Sequence, residues 1–343
     1  MRGLLAGLAA VVAALVATAQ PAAACAGLIG PNGAVNLLRT TTFAGYHDGV
    51  EHYVTAFKFA GGSGQFGSLI PLPGVPTNVE RGGDWTLQRL VKETDVIPTA
   101  APFAKRSALA AADSVQVLIE TRIDALDITV LKGGGTAVGQ WATEHGFRLP
   151  PDAPEVLDYY ANRSPIFMAA VFDADAAKAR GQNIGDGTPV HLTIPTSNPW
   201  VPIRILALGK TSTDRVEADV YFLTDSHPSF LPYPGQQGMT LQHYAPASKS
   251  LLDDLRSDKG MDWVPPSAWL TKIAIDAAAT TLTYDLAVDA KGLAPSRVAA
   301  GLESPATGTA PSRSQLEAYA LVGVALAAIG AVALLRRPRT VVA

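Results

Sequence analysis

Ile128-Thr129-Val130-Leu131-Lys132-Gly133-Gly134-Gly135, then Thr136 to His145, then Asp152-Ala153-Pro154-Glu155, is the stretch that decides how the middle of this chain folds. Ile128 to Leu131 is mostly β-branched, a composition that suits a pleated, half-buried strand, and the glycines close it. Thr136 to His145 reads as a helix that Gly146 stops. An acceptor at Asp152, a proline at Pro154 and a carboxylate at Glu155 then mark the start of a second helix, Glu155 to about Asn162. The result is a strand-helix-helix unit.

On either side the chain reads as strands. Val50 to Phe59 alternates, with Tyr53, Thr55, Phe57 and Phe59 opposite Val54, Ala56 and Lys58, and it follows Asp48-Gly49, a dipeptide of tight hairpins; Leu37 to Phe43 is its partner. Ser68 to Pro73 reads as a short strand that its prolines confine to an edge or a strand end. Val79 to Lys92 carries Trp85, Leu87, Leu90 and Val91 at near-helical spacing, and Val115 to Ile123 alternates. Ile166 to Asp173, Val190 to Thr196, Val201 to Leu208, Arg215 to Thr224 and Leu282 to Asp289 are all strand-like. These elements predict an α+β fold, β-rich with antiparallel sheets around the central strand-helix-helix unit, plus one C-terminal transmembrane helix. No internal repeat of fixed period is present.

That last helix rests on the cost of taking charge and bare backbone through hydrocarbon. A core about 30 Å thick needs about 20 apolar residues, with 17 or so as the minimum. Ala318 to Leu335 supplies 18 without a charge and is followed at once by Arg336, Arg337 and Arg339, a stop signal that keeps its side cytoplasmic. At the other end, Arg2, the apolar Leu4 to Ala19 and the small residues Pro21-Ala22-Ala23-Ala24 have the three parts of a secretory signal, cut between Ala24 and Cys25. The predicted organisation is a signal peptide over 1–24, an extracytoplasmic folded region over 25–294 with one domain or two breaking near 125, a Ser/Thr/Pro/Ala-rich stalk over 295–317, the membrane helix over 318–335 and a basic cytoplasmic tail over 336–343. The stalk composition buries too little apolar surface to offset the entropy of ordering it. The chain is thus placed in the cell membrane as a single-pass protein, its N-terminal domain outside and its C terminus in the cytoplasm.

Charge and cysteine content narrow the role. Without Arg2 and the three C-terminal arginines, 23 of the 27 basic residues remain against 30 acidic ones, a net −7 for the exported part. A surface without clustered lysine and arginine gains nothing from counterion release, which excludes nucleic acid as a partner. Cys25 is the one cysteine, so the domain holds together through its core and not through internal disulfides. Cys25 itself is open to lipid attachment, to pairing with another chain or to service as an N-terminal thiol. A small side chain beside the cut is the simplest reading, because a lipoprotein signal normally has a leucine-like residue where Ala22 stands.

Several scattered motifs then combine. Val130-Leu131-Lys132-Gly133-Gly134, Trp141, Glu144-His145-Gly146-Phe147, Leu149-Pro150, Val156-Leu157 and Tyr160, with Cys25-x-Gly27-Leu28, Ile70-Pro71-Leu72-Pro73, Trp200, Pro202-Ile203-Arg204-Ile205 and Trp269-Leu270-Thr271-Lys272, resemble the bacterial family called domain of unknown function 2330. The resemblance covers most of residues 25 to 290. It implies an exported protein, often with a C-terminal membrane helix, and no assigned activity. Members often have a second cysteine a few residues after the first; Gly30 stands there in this chain, so a disulfide role does not transfer.

Chemistry-bearing side chains are few. His47-Asp48-Gly49-Val50-Glu51-His52 gathers four metal- or proton-competent groups in six positions but lacks zinc-signature spacing. Asp225-Ser226-His227 are adjacent, whereas a triad converges from separate elements, and there is no Gly-x-Ser-x-Gly elbow. The test of a hydrolase is whether His191, His227 and Asp225 meet. Neither a catalytic residue, a cofactor site nor a metal site is assigned. The loop His227 to Pro246 holds Phe230, Tyr233 and Tyr244 with four prolines; its rings either stack on a sugar or a partner's backbone or fold back over the sheet. Trp200, Trp263 and Trp269 sit near prolines and suit a core lid or a binding rim equally. The expectation is a non-catalytic binding or structural ectodomain at the cell envelope, touching the cytoplasmic membrane and an envelope protein or glycan. An envelope hydrolase or metal-dependent enzyme is the alternative.

Overall fold

A computed structural model of the chain describes residues 27–30, 33–34, 40–58, 65–94, 115–182 and 187–305. The expected signal peptide, Ala24 and Cys25 at its cleavage point, the membrane helix 318–335 and Arg336, Arg337 and Arg339 lie outside these residues. Among the described residues no helix is long and apolar enough to cross a membrane.

Along the chain the strands are β1 (Gly27–Gly30), β2 (Gly33–Ala34), β3 (Thr40–His47), β4 (Val50–Lys58), β5 (Gln65–Pro71), β6 (Asn78–Arg81), β7 (Gln116–Ile123), β8 (Leu126–Lys132), β9 (Ile166–Asp173), β10 (Gly187–Pro195), β11 (Trp200–Val201), β12 (Arg215–Thr224), β13 (Ser229–Leu231), β14 (Met239–Pro246), β15 (Trp269–Ala278) and β16 (Leu286–Asp289). The helices are α1 (Thr86–Thr94), α2 (Gly135–Glu144), α3 (Ala153–Ala161), α4 (Ala174–Ala179) and α5 (Lys249–Ser257). One sheet has the order β2-β1-β5-β9-β8-β7, a second β14-β15-β12-β3-β4-β10-β6, and a small third β11-β16-β13. Their pairings are antiparallel except β3 with β12, which run parallel, so the seven-stranded sheet is mixed.

These pieces stack in four layers. The two large sheets face each other across the main core, where Ile70, Ile128, Val130, Met168 and Phe172 of one meet Tyr53, Leu192, Val220, Phe222 and Ile273 of the other. On the far side of the six-stranded sheet, α2 and α3 bury Val138, Trp141, Leu157 and Tyr160 against Leu131, Phe167 and Ala169. On the far side of the seven-stranded sheet, α1 and α5 bury Leu90, Leu251, Leu252 and Leu255 against Phe43, Val54, Tyr221 and Leu270. Side chains alternate across a strand, so neighbouring residues of β4 enter different layers: Glu51 and Tyr53 point to the main core, His52 and Val54 to the α1/α5 side. Each large apolar side chain so buried contributes about 1.5–3 kcal/mol.

The hairpin at Asp48-Gly49 forms with both residues at positive φ, 48° and 80°, the geometry of a type I′ turn. Its first strand is described over Thr40–His47, and the earlier part of the expected strand, 37–39, lies outside the described residues. The strand-helix-helix unit is present as β8, α2 and α3, with Gly146 at φ 83° ending the region after α2. Four expectations need correction. The strand expected over Leu282 to Asp289 begins only at Leu286, because Asp285 before it turns to the amides of Ile203 and Arg204. The helical reading of Val79 to Lys92 starts too early, because Asn78–Arg81 are strand β6 on β10 and the helix begins at Thr86. The strand expected over Val201 to Leu208 is the last residue of β11 and then a single 3₁₀ turn, Arg204–Ala207. Asp152 precedes α3 but its side chain caps nothing there; it accepts from the amide of Gly209 instead.

The described residues up to Glu303 form one unit. Pro295 to Glu303, the start of the expected stalk, packs against it, with Ala299 and Ala300 buried beside α3 and Arg163 donating to their neighbourhood at the Ala299 carbonyl. The remainder of that stretch, from 306, lies outside the described residues.

Candidate functional site

The cluster His47 to His52, adjacent in sequence, is divided three ways. His47 lies at the end of β3 between two carboxylates: its Nδ1 is 2.6 Å from Asp225 and its Nε2 3.5 Å from Asp48. Among the described residues this is the one group of three His, Asp or Glu side chains close enough to share a metal ion. Each ring nitrogen faces a different acid, so a metal would take one nitrogen and one carboxylate, leaving the other as an outer hydrogen-bond partner. Glu51 points the opposite way into the main core and is 1% exposed. Among the described residues neither of its oxygens has a hydrogen-bond partner of good geometry, and burial pushes its carboxyl up to about 8 against the smaller pull of the Trp200 backbone amide.

His52 takes the third direction. Its Nδ1 is 3.0 Å from Nε2 of His191 on β10, and Nδ1 of His191 is 3.4 Å from Glu80 on β6. Strand register sets this row, since His191 pairs with Glu80 across β10 and β6 and with Val54 on the face that His52 shares. Trp263 lies flat on His52 with ring centres 3.9 Å apart and planes 5° from parallel. Gly45, opposite His52 on β3, makes room for the indole: a Cβ there would sit 2.0 Å from it.

The hydrolase test gives three separate sites. Asp225 bonds His47, His191 bonds His52, and His227 bonds the Tyr244 hydroxyl at 3.0 Å. Ser226 donates to the Ala290 carbonyl. These side chains therefore form no convergent triad.

The loop His227 to Pro246 divides between the two roles foreseen for it. Phe230 folds back, 7% exposed and tilted against Phe222 in the main core. Tyr233 does not; it is 66% exposed. Beside it, His227, Tyr244 and Trp269 form a mutual edge-to-face trio, with ring centres 4.9 to 5.2 Å apart. Tyr244 stands on β14, the sheet's edge strand, and its hydroxyl donates to the Pro228 carbonyl at 2.6 Å. Burial and then the nearby Tyr233 hold that hydroxyl above its ordinary value. The indole N–H of Trp269 has no hydrogen-bond partner among the described residues. An aromatic ledge of this kind offers flat apolar faces beside polar edges. Of the other tryptophans, Trp200 is core, 3% exposed, and Trp263 is a lid.

A fourth centre had no sequence signal. Asp285, with no exposure, accepts from Tyr160 Oη at 2.8 Å, Ile203 N at 2.6 Å and Arg204 N at 3.0 Å, and pairs with Arg163. The Arg163 guanidinium in turn lies over the rings of Tyr159, Tyr160 and Trp200. This centre ties α3, the 3₁₀ turn and β16 together and has every oxygen of Asp285 occupied, which makes it structural. Tyr160, Trp200 and Ile203-Arg204 all belong to the motifs read in the sequence, and the buried acid explains why they occur together.

A profile of the family described as "Uncharacterized protein conserved in bacteria (DUF2330)" matches residues 19–287. No curated protein matches the chain. Among solved structures, a mutated baculovirus P35 after caspase cleavage is 10% identical over 74% of this chain and 95% of its own, with a TM-score of 0.35. Another baculovirus P35 structure is 12% identical over 74% of this chain and 92% of its own, with a TM-score of 0.33. At these scores neither likeness bears on the fold or the role of this chain.

Proposed function

Because the chain belongs to the bacterial DUF2330 family, whose description assigns no activity, we propose that it is an exported, membrane-anchored protein whose ectodomain binds a glycan of the cell envelope without catalysis. The observation that carries the reading is the trio of His227, Tyr244 and Trp269, three rings fixed by one another, with Tyr233, 66% exposed, near enough to raise the Tyr244 hydroxyl. Fixed aromatic rings lose little entropy on stacking against the apolar face of a sugar, and the exposed imidazole of His227 can meet its hydroxyls. Anchoring follows from the apolar 318–335 segment with its three arginines, and export from the segment ahead of Cys25.

Binding is measured with the full-length chain on insoluble cell-wall glycan and on soluble oligosaccharides released from it. Tyr233→Ala, at an exposed position, should leave the melting temperature within about 1 °C and weaken binding about tenfold. Unchanged binding by that variant, or no retention of the native chain on glycan, overturns the reading. A reporter fused after Ala343 should be active in the cytoplasm alone, and protease added to cells opened at the outer layer should remove the ectodomain.

A further inference from the structure

The residues after α5 form a strap across the α1/α5 face of the seven-stranded sheet, and three points hold it down. Asp258 accepts from the amides of Trp85 and Thr86 and from the Thr86 hydroxyl, closing the start of α1. Gly260, at φ 76°, rests over His191 and Glu80, where a Cβ would come within 3.1 Å of the His191 Nδ1. Trp263 covers His52 and Gly45 and reaches Phe43, ring centres 6.1 Å apart. Two of the three anchors therefore stand on one pair of buried imidazoles, His52 at 8% exposure and His191 at 2%.

Nδ1 of His191 faces the Glu80 carboxylate at 3.4 Å without hydrogen-bond geometry; a carboxylate can only accept, so the tautomer that suits it has its proton on Nδ1 and leaves Nε2 to accept from His52. One further proton can be shared along this chain. A second sets N–H against N–H across 3.0 Å, and the contact must open. We propose that Glu80, His191 and His52 are an acid-sensitive latch: with at most one ring charged, the pair holds the strap 258–264 on the sheet, and with both rings protonated, it releases Trp263 and uncovers Phe43 and Val54.

The charges around the pair agree with this direction. Burial, then the neighbouring imidazole, then His47 at the end of β3 keep His52 down at about 3, while burial lowers His191 against the pull of Glu80. On the strap itself Asp258 is committed to α1, and Lys259 and Asp262 are exposed. Ahead of α1, Asp84 is bound to Arg81; on α1, Arg89 is bound to Glu93 and to Asp254 of α5, and Lys92 is exposed. On α5, Asp253 is shared by Lys249 and Arg256. Among the described residues Glu80 is thus the acid placed beside the proton-bearing pair.

Hydrogen exchange of peptide 258–264 in the full-length chain tests it, each rate corrected for the intrinsic effect of pH. Protection should fall at least tenfold from pH 7 to pH 4.5 while β8 and β9 stay protected. The double variant H52N/H191Q keeps the side-chain contact without a titrating ring and should hold the strap closed at pH 4.5. Glu80→Gln removes the negative charge beside the pair while keeping an acceptor oxygen and should move release to lower pH, and it carries the test if the double variant fails to fold. Equal strap protection at both pH values, loss of β8 and β9 at the same pH as the strap, or unchanged release in these variants overturns the latch.

Discussion

Asp285 and Glu51 are both carboxylates sealed from solvent, yet they stand at opposite ends of what burial can do. Asp285 has two backbone amides, a phenol and a guanidinium turned toward it, enough to replace the water it lost. Glu51 has no such set and keeps its proton instead, titrating near 8. The adjacent His52 has the mirror-image problem and gives its proton up, titrating near 3. A saturated centre behaves as a cross-link, whereas an undersaturated one turns burial into proton sensitivity. The α3 side of the molecule has the first kind and the two faces of β4 the second.

Removing one member of the saturated centre should give the largest effect. Asp285→Ala strands Arg163 among the Tyr159, Tyr160 and Trp200 rings and should cost about 3–5 kcal/mol, a fall of roughly 10 °C in melting temperature. A loss below about 1 kcal/mol would mean that the centre is not the cross-link described. The second experiment follows melting temperature against pH. Between its ordinary 4.5 and about 8, Glu51 is protonated in the fold and ionised in the unfolded chain, so its contribution is lost as pH rises through that window. Between its ordinary 6.5 and about 3, His52 is neutral in the fold and charged in the unfolded chain, so its contribution is lost as pH falls. Their slopes oppose one another from 4.5 to 6.5, and the profile should be a plateau there with a decline on each side. Glu51→Gln should remove the alkaline decline and leave the acid one; a variant that falls as steeply as the native chain above pH 6.5 would dissolve the contrast. The smallest effect belongs to the solvent-facing pair. Asp225→Asn should change stability by no more than about 0.5 kcal/mol, and added zinc should leave its melting curve and that of the native chain alike, since an exposed His47–Asp225 contact is worth little.

What was legible in the sequence follows the range of the force responsible. The Asp48-Gly49 hairpin, the alternation of β7 and β12 and the helices of the central unit are local, set by turn chemistry and side-chain period, and they stand where they were read apart from a few residues at their ends. Helix α5 carried a readable signal that went unused: Ser248 caps Leu251, and Leu251, Leu252 and Leu255 fall at helical spacing. Val201 to Leu208 has strand composition, but the amides of Ile203 and Arg204 are drawn to Asp285, 82 and 81 residues away, and no local pattern contains that acid. The candidate site splits similarly. The aromatics around His227 to Pro246 were visible as a group, while the trio depends on Trp269 arriving beside Tyr244 through the β14–β15 ladder. Glu80, His191 and His52 lie on three strands far apart in sequence and meet solely through register.

The parallel pairing of β3 with β12 has a kinetic side. Thr41 lies beside Asp219, and β15 must still come after it on the other flank of β12. A ribosome or a translocation pore delivers the amino end first, so the β3–β4 ribbon waits with one edge bare until more than half of the polypeptide has emerged. Such long-range closure makes for slow maturation and a sticky intermediate, one that a holding chaperone would shield in the meantime.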